Sequence, residues 1–208
     1  MKLKIIGLLV LISFSMTGFS QFKATSGDLS ALKGQEKVLV EFQYAEELLV
    51  NRKPEQEYID KLNNRGGEEA ETMWRVSKYL YVDFFIGEMN DKLSKSNFVA
   101  VKDAEEGAEY KLIVLTTDMA TGTRVGDLPA NITGRILLVK IGEEDEILAD
   151  FDMKQLRSDL EKTSVKVGLG GVKIDVTKLK KTDYFDRLSK AYGIGGKRFA
   201  NKVKKVLK

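Results

Sequence analysis

The chain has no cysteine and no histidine among its 208 residues, and only two prolines and one tryptophan. Without cysteine there can be no disulfide, no thiolate nucleophile and no acylated cysteine behind a leader. Without histidine as well, the usual zinc ligands and the commonest proton-transfer group are gone. Carboxylates, Lys, Tyr, Ser and Thr remain for chemistry, and the expectation is a protein that is not an enzyme and holds no cofactor or metal. Long apolar runs are also missing: Ile5 to Met16 has twelve residues, and no later stretch approaches the roughly 20 that span a bilayer. Stability must therefore come from apolar burial, for which a 43% hydrophobic content suffices.

What is there begins with Lys2 and Lys4 ahead of that run and Gly18-Phe19-Ser20 behind it, the pattern of a secretory signal peptide cut after Ser20. A retained amino-terminal anchor is the competing reading. Export to the periplasm or to an outer-membrane-associated place, without lipidation, is the expectation. Removing the leader, residues 1–20, leaves 188 residues, enough for one domain. Residues 21–34 are expected to be an exposed segment and 35–208 a single domain with a basic helical end, 177–208. That end carries eleven Lys and Arg against Asp183 and Asp186, a charge of +9; with the leader lysines set aside, residues 21–176 are left at −8. Such polarity suits a tail docked on the body, a tail held toward an anionic partner, or a solvated helix face.

"KVLVEFQY", residues 37–44, alternates as a half-buried strand does. "KPEQEYIDKLNN" predicts a short exposed helix with Pro54 in its first turn, ending before Gly66-Gly67. From Glu68 to Leu93 two apolar rows, one through Met73, Val76, Leu80 and Phe84 and one through Trp74, Tyr81, Phe85 and Met89, predict a long core helix. "FVAV" and "YKLIVLTT" are two strands. The polar run "DMATGTRVGDLPAN" is long for a hairpin, which makes Asp118, Thr123, Arg124 and Asp127 candidate contacts. "NITGRILLVKI" and "EILADFDMKQ" form a hairpin around an acidic turn, "GEED". The carboxylate groups Glu105-Glu106 and Glu143-Glu144-Asp145 fall in predicted turns, where solvated acids are ordinary.

The glycines of "SVKVGLGGVKIDV", residues 164–176, do not have dinucleotide-site spacing. "AYGIGGKRFANKVKKVL" invites comparison with a phosphate loop, yet Ala191 and Arg198 stand where that loop needs glycine and a hydroxyl. Gly193 to Gly196 are expected to break a helical pattern into two pieces. The second piece sets Phe199 and Val203 in an apolar row beside Lys197, Arg198, Lys202, Lys204 and Lys205, the candidate contacts to an anionic surface.

The order of these elements, from "KVLVEFQY" through the long helix, "TGTRVGD" and "ITGRILLVKIGEEDEILADF" to "RLSKAYGIGGKRFANKVKKVLK", resembles the TolB amino-terminal-like and curli-secretion-lipoprotein-like group of exported domains over about residues 35–208. The resemblance implies an α/β fold, a mixed sheet with two main helices packed on one face, and work in envelope assembly, secretion or protein interaction. The chain lacks that group's lipidated cysteine and the amphipathic strands of a membrane barrel, which argues against a pore. The leading expectation is an interaction or assembly module of the envelope; the alternative is an anchor to an anionic membrane surface through the basic helix. A nucleic-acid partner fits poorly, because the aromatic residues of the tail fall on its apolar rows. Oligomerisation is left open.

Overall fold

The alternation of residues 37–44 continues to residue 50, and the whole run is strand β2 (Lys37–Val50). The computed structural model describes residues 22–102, 107–123, 128–159 and 183–208. The run 164–176 and the pair Glu105-Glu106 lie outside the described residues. Around β2 stand β1 (Phe22–Gly27), β3 (Lys53–Pro54), α1 (Glu55–Leu93), β4 (Val99–Val101), β5 (Tyr110–Ala120), β6 (Asn131–Lys140), β7 (Glu143–Arg157) and α2 (Asp183–Val206). The sheet order is β1-β7-β6-β5-β2-β3, with β4 also on β2. β2 runs parallel to β4 and β5, and the other pairs are antiparallel. This is the expected α/β domain, a mixed sheet with two helices on one face.

Alternation decides which side chains meet the helices. Val38, Val40, Leu112, Val114, Ile136, Leu138, Ala149 and Met153 are all buried on the helix-covered face. There Phe42 packs against Phe85 and Tyr192, with ring centroids 5.7 and 5.1 Å away. The opposite face carries polar pairs instead: Lys111 between Glu41 and Glu144, at 2.9 and 3.4 Å, and Arg135 on Asp150.

Gly67 bends α1 with φ 65° and ψ −164°, a conformation suited to glycine, and the arm 55–66 folds back along the arm 68–93. The fold-back is stapled by Glu55, which accepts hydrogen bonds from Trp74 Nε1 at 2.5 Å and from Lys78 Nζ at 3.0 Å. The expected end near Asn63 and Asn64, before Gly66, falls short: the first arm stays helical through Gly66 and bends only at Gly67. The first arm is not wholly exposed, since Ile59 is buried. Pro54 precedes the first turn, ending β3 at the cap position.

Three further expectations are corrected. The segment 21–34 is not simply exposed: β1 pairs with β7, and Phe22, Leu29 and Leu32 are buried, although the rest of β1 faces solvent. The turn between β6 and β7 is Ile141-Gly142, with Gly142 at φ 85°, so Glu143, Glu144 and Asp145 begin a strand rather than forming a turn.

The largest correction concerns Gly193 to Gly196, which break nothing: α2 is continuous through them. A Cβ on Gly196 would stand 2.0 Å from the backbone oxygen of Phe85, and one on Gly195 would stand 2.7 Å from Leu156 Cδ1. Glycine is there to let α2 cross α1 almost backbone to backbone. Local propensity says break; tertiary packing overrides it. Gly196→Ala should destabilise the domain by about 2 kcal/mol or more, because the clash exceeds the roughly 1 kcal/mol of helix propensity that alanine adds. Urea unfolding of both proteins checks this, and equal midpoints would contradict the crossing.

Candidate anion-binding cleft

Two residues, Asn51 and Arg52, join β2 to β3, and Val50 pairs with Lys53 across them. Both central residues have positive φ, 55° and 66°, as a tight hairpin of this twist requires. Asn51 fits that need, and its side chain staples the turn to the end of β5. Its N–H donates to Met119 O at 2.8 Å, and its Oδ1 accepts from Thr121 N–H at 3.0 Å. Arg52 has no such compensation; a residue with a Cβ loses about 1 kcal/mol in the left-handed region.

The turn forms one wall of a cleft of about 970 Å³ where β2, β5 and β7 end and β6 begins. The first arm of α1 supplies Tyr58, Lys61, Leu62 and Arg65, spaced three and four apart along one face. The start of α2 supplies Tyr184 and Arg187, and Arg187 Nε donates to Thr121 O at 3.1 Å. Behind them Tyr58, Trp74 and Tyr184 pack ring on ring, with centroids 4.8 to 6.5 Å apart. Burial pushes the Tyr58 hydroxyl up to about 12, although Arg187 and Arg65 pull the other way. It stays neutral at ordinary pH.

The third side comes from β7, which has one residue more than β6 between the pairs Ile132–Leu156 and Gly134–Met153. This bulge sets Gln155 at φ 49° and turns the strand end so that Gln155 and Arg157 border the cleft. Asn51, Arg52 and Gln155 are the non-glycine residues at positive φ among the described residues, and all three line this one cleft. Backbone strain of this kind gathers at functional sites.

Charge gathers there too. Arg52, Lys61, Arg65, Arg157 and Arg187 line the cleft, and among the described residues no carboxylate does. Arg157 is held by Asp159 at 2.7 Å. Among the described residues no carboxylate forms an ion pair with the other four. Lys61 and Arg65, four apart on one helix, also repel each other. Asn131 Oδ1, at the start of β6, is buried without a hydrogen-bond partner. Chemically, the arrangement can bind oxyanions. Among the described residues there is also no group of three Asp or Glu that could hold a metal ion.

The candidate residues from the sequence divide. Thr123 lines the cleft, its backbone bridged to Leu128 at 2.9 and 3.0 Å, while Arg124 and Asp127 lie outside the described residues. Asp118 belongs to strand β5 rather than to the loop, half-buried in the field of Arg52. Lys197, Arg198 and Lys202 are half-buried along α2, and Lys204 and Lys205 are exposed in its last turn. Lys204 borders a second hollow of about 570 Å³, at the helix carboxyl ends, with Lys92, Lys95 and Lys208. The sequence pattern singled out none of the five cleft cations.

No family model, no curated protein and no solved structure matches the chain.

Two predictions follow from the local chemistry. Arg52→Gly should keep or raise stability, by up to about 1 kcal/mol, since glycine tolerates the turn; a fall in the thermal midpoint would contradict the strained turn. Burial raises the pKa of Asp118 above the ordinary 3.8, with Arg52 opposing. A carboxyl raised on folding favours the native state below its unfolded pKa and disfavours it once ionised above its folded one. Asp118→Asn should therefore stabilise the protein at pH 7, with the difference closing as the pH falls toward 3.8; urea titrations across that range check the sign.

Proposed function

We propose that the protein is an exported, non-enzymatic interaction module of the cell envelope whose working surface is the cationic cleft, where it takes an anionic group of its partner. Export rests on the leader pattern of residues 1–20. The observation that carries the binding role is the convergence of three left-handed non-glycine residues and five cations on one cleft. The hairpin and the bulge need those conformations for their geometry, but the gathering of five cations beside them suits recognition of negative charge.

A second reading, attachment of α2 to an anionic membrane surface, has the exposed Lys204 and Lys205 in its favour. Against it, Phe199 and Val203, the apolar row an interfacial helix would insert, are fully buried in the core. Binding would have to proceed by charge alone. Among the described residues no helix is long and apolar enough to cross a membrane.

The two readings separate in one experiment. A photo-crosslinking residue placed at Leu128, 59% exposed at the cleft rim, should join the mature chain to an envelope polypeptide in membrane-free extract. Arg52→Gly with Arg65→Gln should remove the adduct, and Lys204→Gln with Lys205→Gln should leave it. Retention of the adduct by the cleft variant would refute the reading. Flotation with anionic vesicles that only the tail variant loses would favour the second.

A further inference from the structure

We infer that the ligand of the cleft is an acidic polypeptide segment, its carboxylates spread along the chain, rather than a compact phosphate. The inference rests on the cleft being the working surface, and it is drawn from how the positive charge is distributed. Compact phosphate sites concentrate backbone N–H groups at an open helix N-terminus. Here both helices start at this end of the domain with acidic residues in their first turns. α1 has Glu55 and Glu57 in its first turn, with Glu55 committed to Trp74 and Lys78. α2 opens on Asp183, and Asp186 follows in its first turn, paired with Lys190. These acids oppose a dianion near either helix end.

The positive charge instead sits on long side chains from separate elements. Arg52 comes from a hairpin, Lys61 and Arg65 from successive turns of one helix arm, Arg157 from a strand end and Arg187 from the other helix. At about 970 Å³ the cleft is at the upper end of what takes a whole small molecule, and far larger than one oxyanion fills. Four of its five cations are arginine, whose planar fork pairs bidentately with carboxylate. Between the charges lie groups suited to a peptide. Leu128 is exposed at the rim, Tyr58 and Tyr184 form an aromatic floor, and Asn131 offers a buried unpartnered oxygen to an amide N–H. A run of Asp or Glu interspersed with apolar residues matches these elements.

The test uses the mature chain and a fluorescein-labelled decaglutamate peptide at neutral pH, read by anisotropy in low and in physiological salt. Saturable binding is expected, weakened by salt and weakened at least about tenfold by Arg52→Gly with Arg65→Gln, while Lys204→Gln with Lys205→Gln changes it by less than about twofold. Thermal melts run on every variant, and Arg52→Gly alone provides a charge deletion that the turn tolerates. Binding unaffected by the cleft variant, or lost in the tail variant, overturns the inference. Inorganic phosphate, pyrophosphate and anionic vesicles are tried in parallel. If one of these binds through Arg52 and Arg65 and decaglutamate does not, the cleft remains the working surface and the polypeptide inference falls. If no probe responds to Arg52 and Arg65, both fall.

Discussion

The domain depends on one close approach. At Gly196 the helix α2 lies so near Phe85 of α1 that a methyl group would stand 2.0 Å from a backbone oxygen. Because the axes meet there, Tyr192, one turn earlier, reaches the sheet and shares a 2.8 Å hydrogen bond with Thr116. Phe199, one turn later, packs against Phe22 and Phe151 with centroids 5.4 and 5.5 Å away, which ties the edge strand β1 to the core. The amino end of the same helix delivers Tyr184 and Arg187 to the cleft. A single packing constraint thus places the tail, the edge strand and part of the candidate site together.

The fold-back of α1 is the complementary constraint. Glu55 and Lys78 are both largely buried at 2.7 Å, and Glu55 also accepts from Trp74. A carboxylate held by a cation and an indole N–H is well satisfied, whereas removal of either donor would leave it partly unpaired and costly. The staple holds the first arm over the start of α2, so that Lys61 and Arg65 face the hairpin turn carrying Arg52. Away from the cleft, Lys111 holds two carboxylates, Glu41 and Glu144; at the cleft, among the described residues, the cations are in excess. Among the described residues four of the five cleft cations form no ion pair, where a partner can reach them.

Much of the fold was legible because it is written in short-range patterns. Alternation marked β2, β5 and the β6–β7 hairpin, and two apolar rows with Gly67 ahead of them marked the long arm of α1 and its bend. The failures have a common physical origin in long-range contact. Gly193 to Gly196 have the local signature of a break, and only the presence of Phe85 on another helix turns them into a crossing point. The edge strand β1 has one buried residue, too little for a periodicity. At the site, Thr123 was visible because a long polar loop is visible. Arg52, Lys61, Arg65, Arg157 and Arg187 share no motif and come together only when a hairpin, two helices and a strand end meet at the same edge of the sheet.

The charge pattern shows the same limit in another form. By segment, the chain is an acidic body with a basic tail, which directs attention to residues 177–208. By surface, four of the five cleft cations belong to the acidic body, and Arg187 alone is from the tail. Of the other tail charges, Lys190 is paired with Asp186, and Lys204 and Lys205 sit in the last turn of α2, where the helix dipole favours them without any ligand. The field a partner meets is set by which side chains the fold brings within a Debye length of one another, about 8 Å at physiological salt. Net charge counted along the sequence averages over distances many times greater. Charge counted by segment thus points to the tail, while among the described residues four of the five cations that converge on the cleft come from the nominally acidic domain.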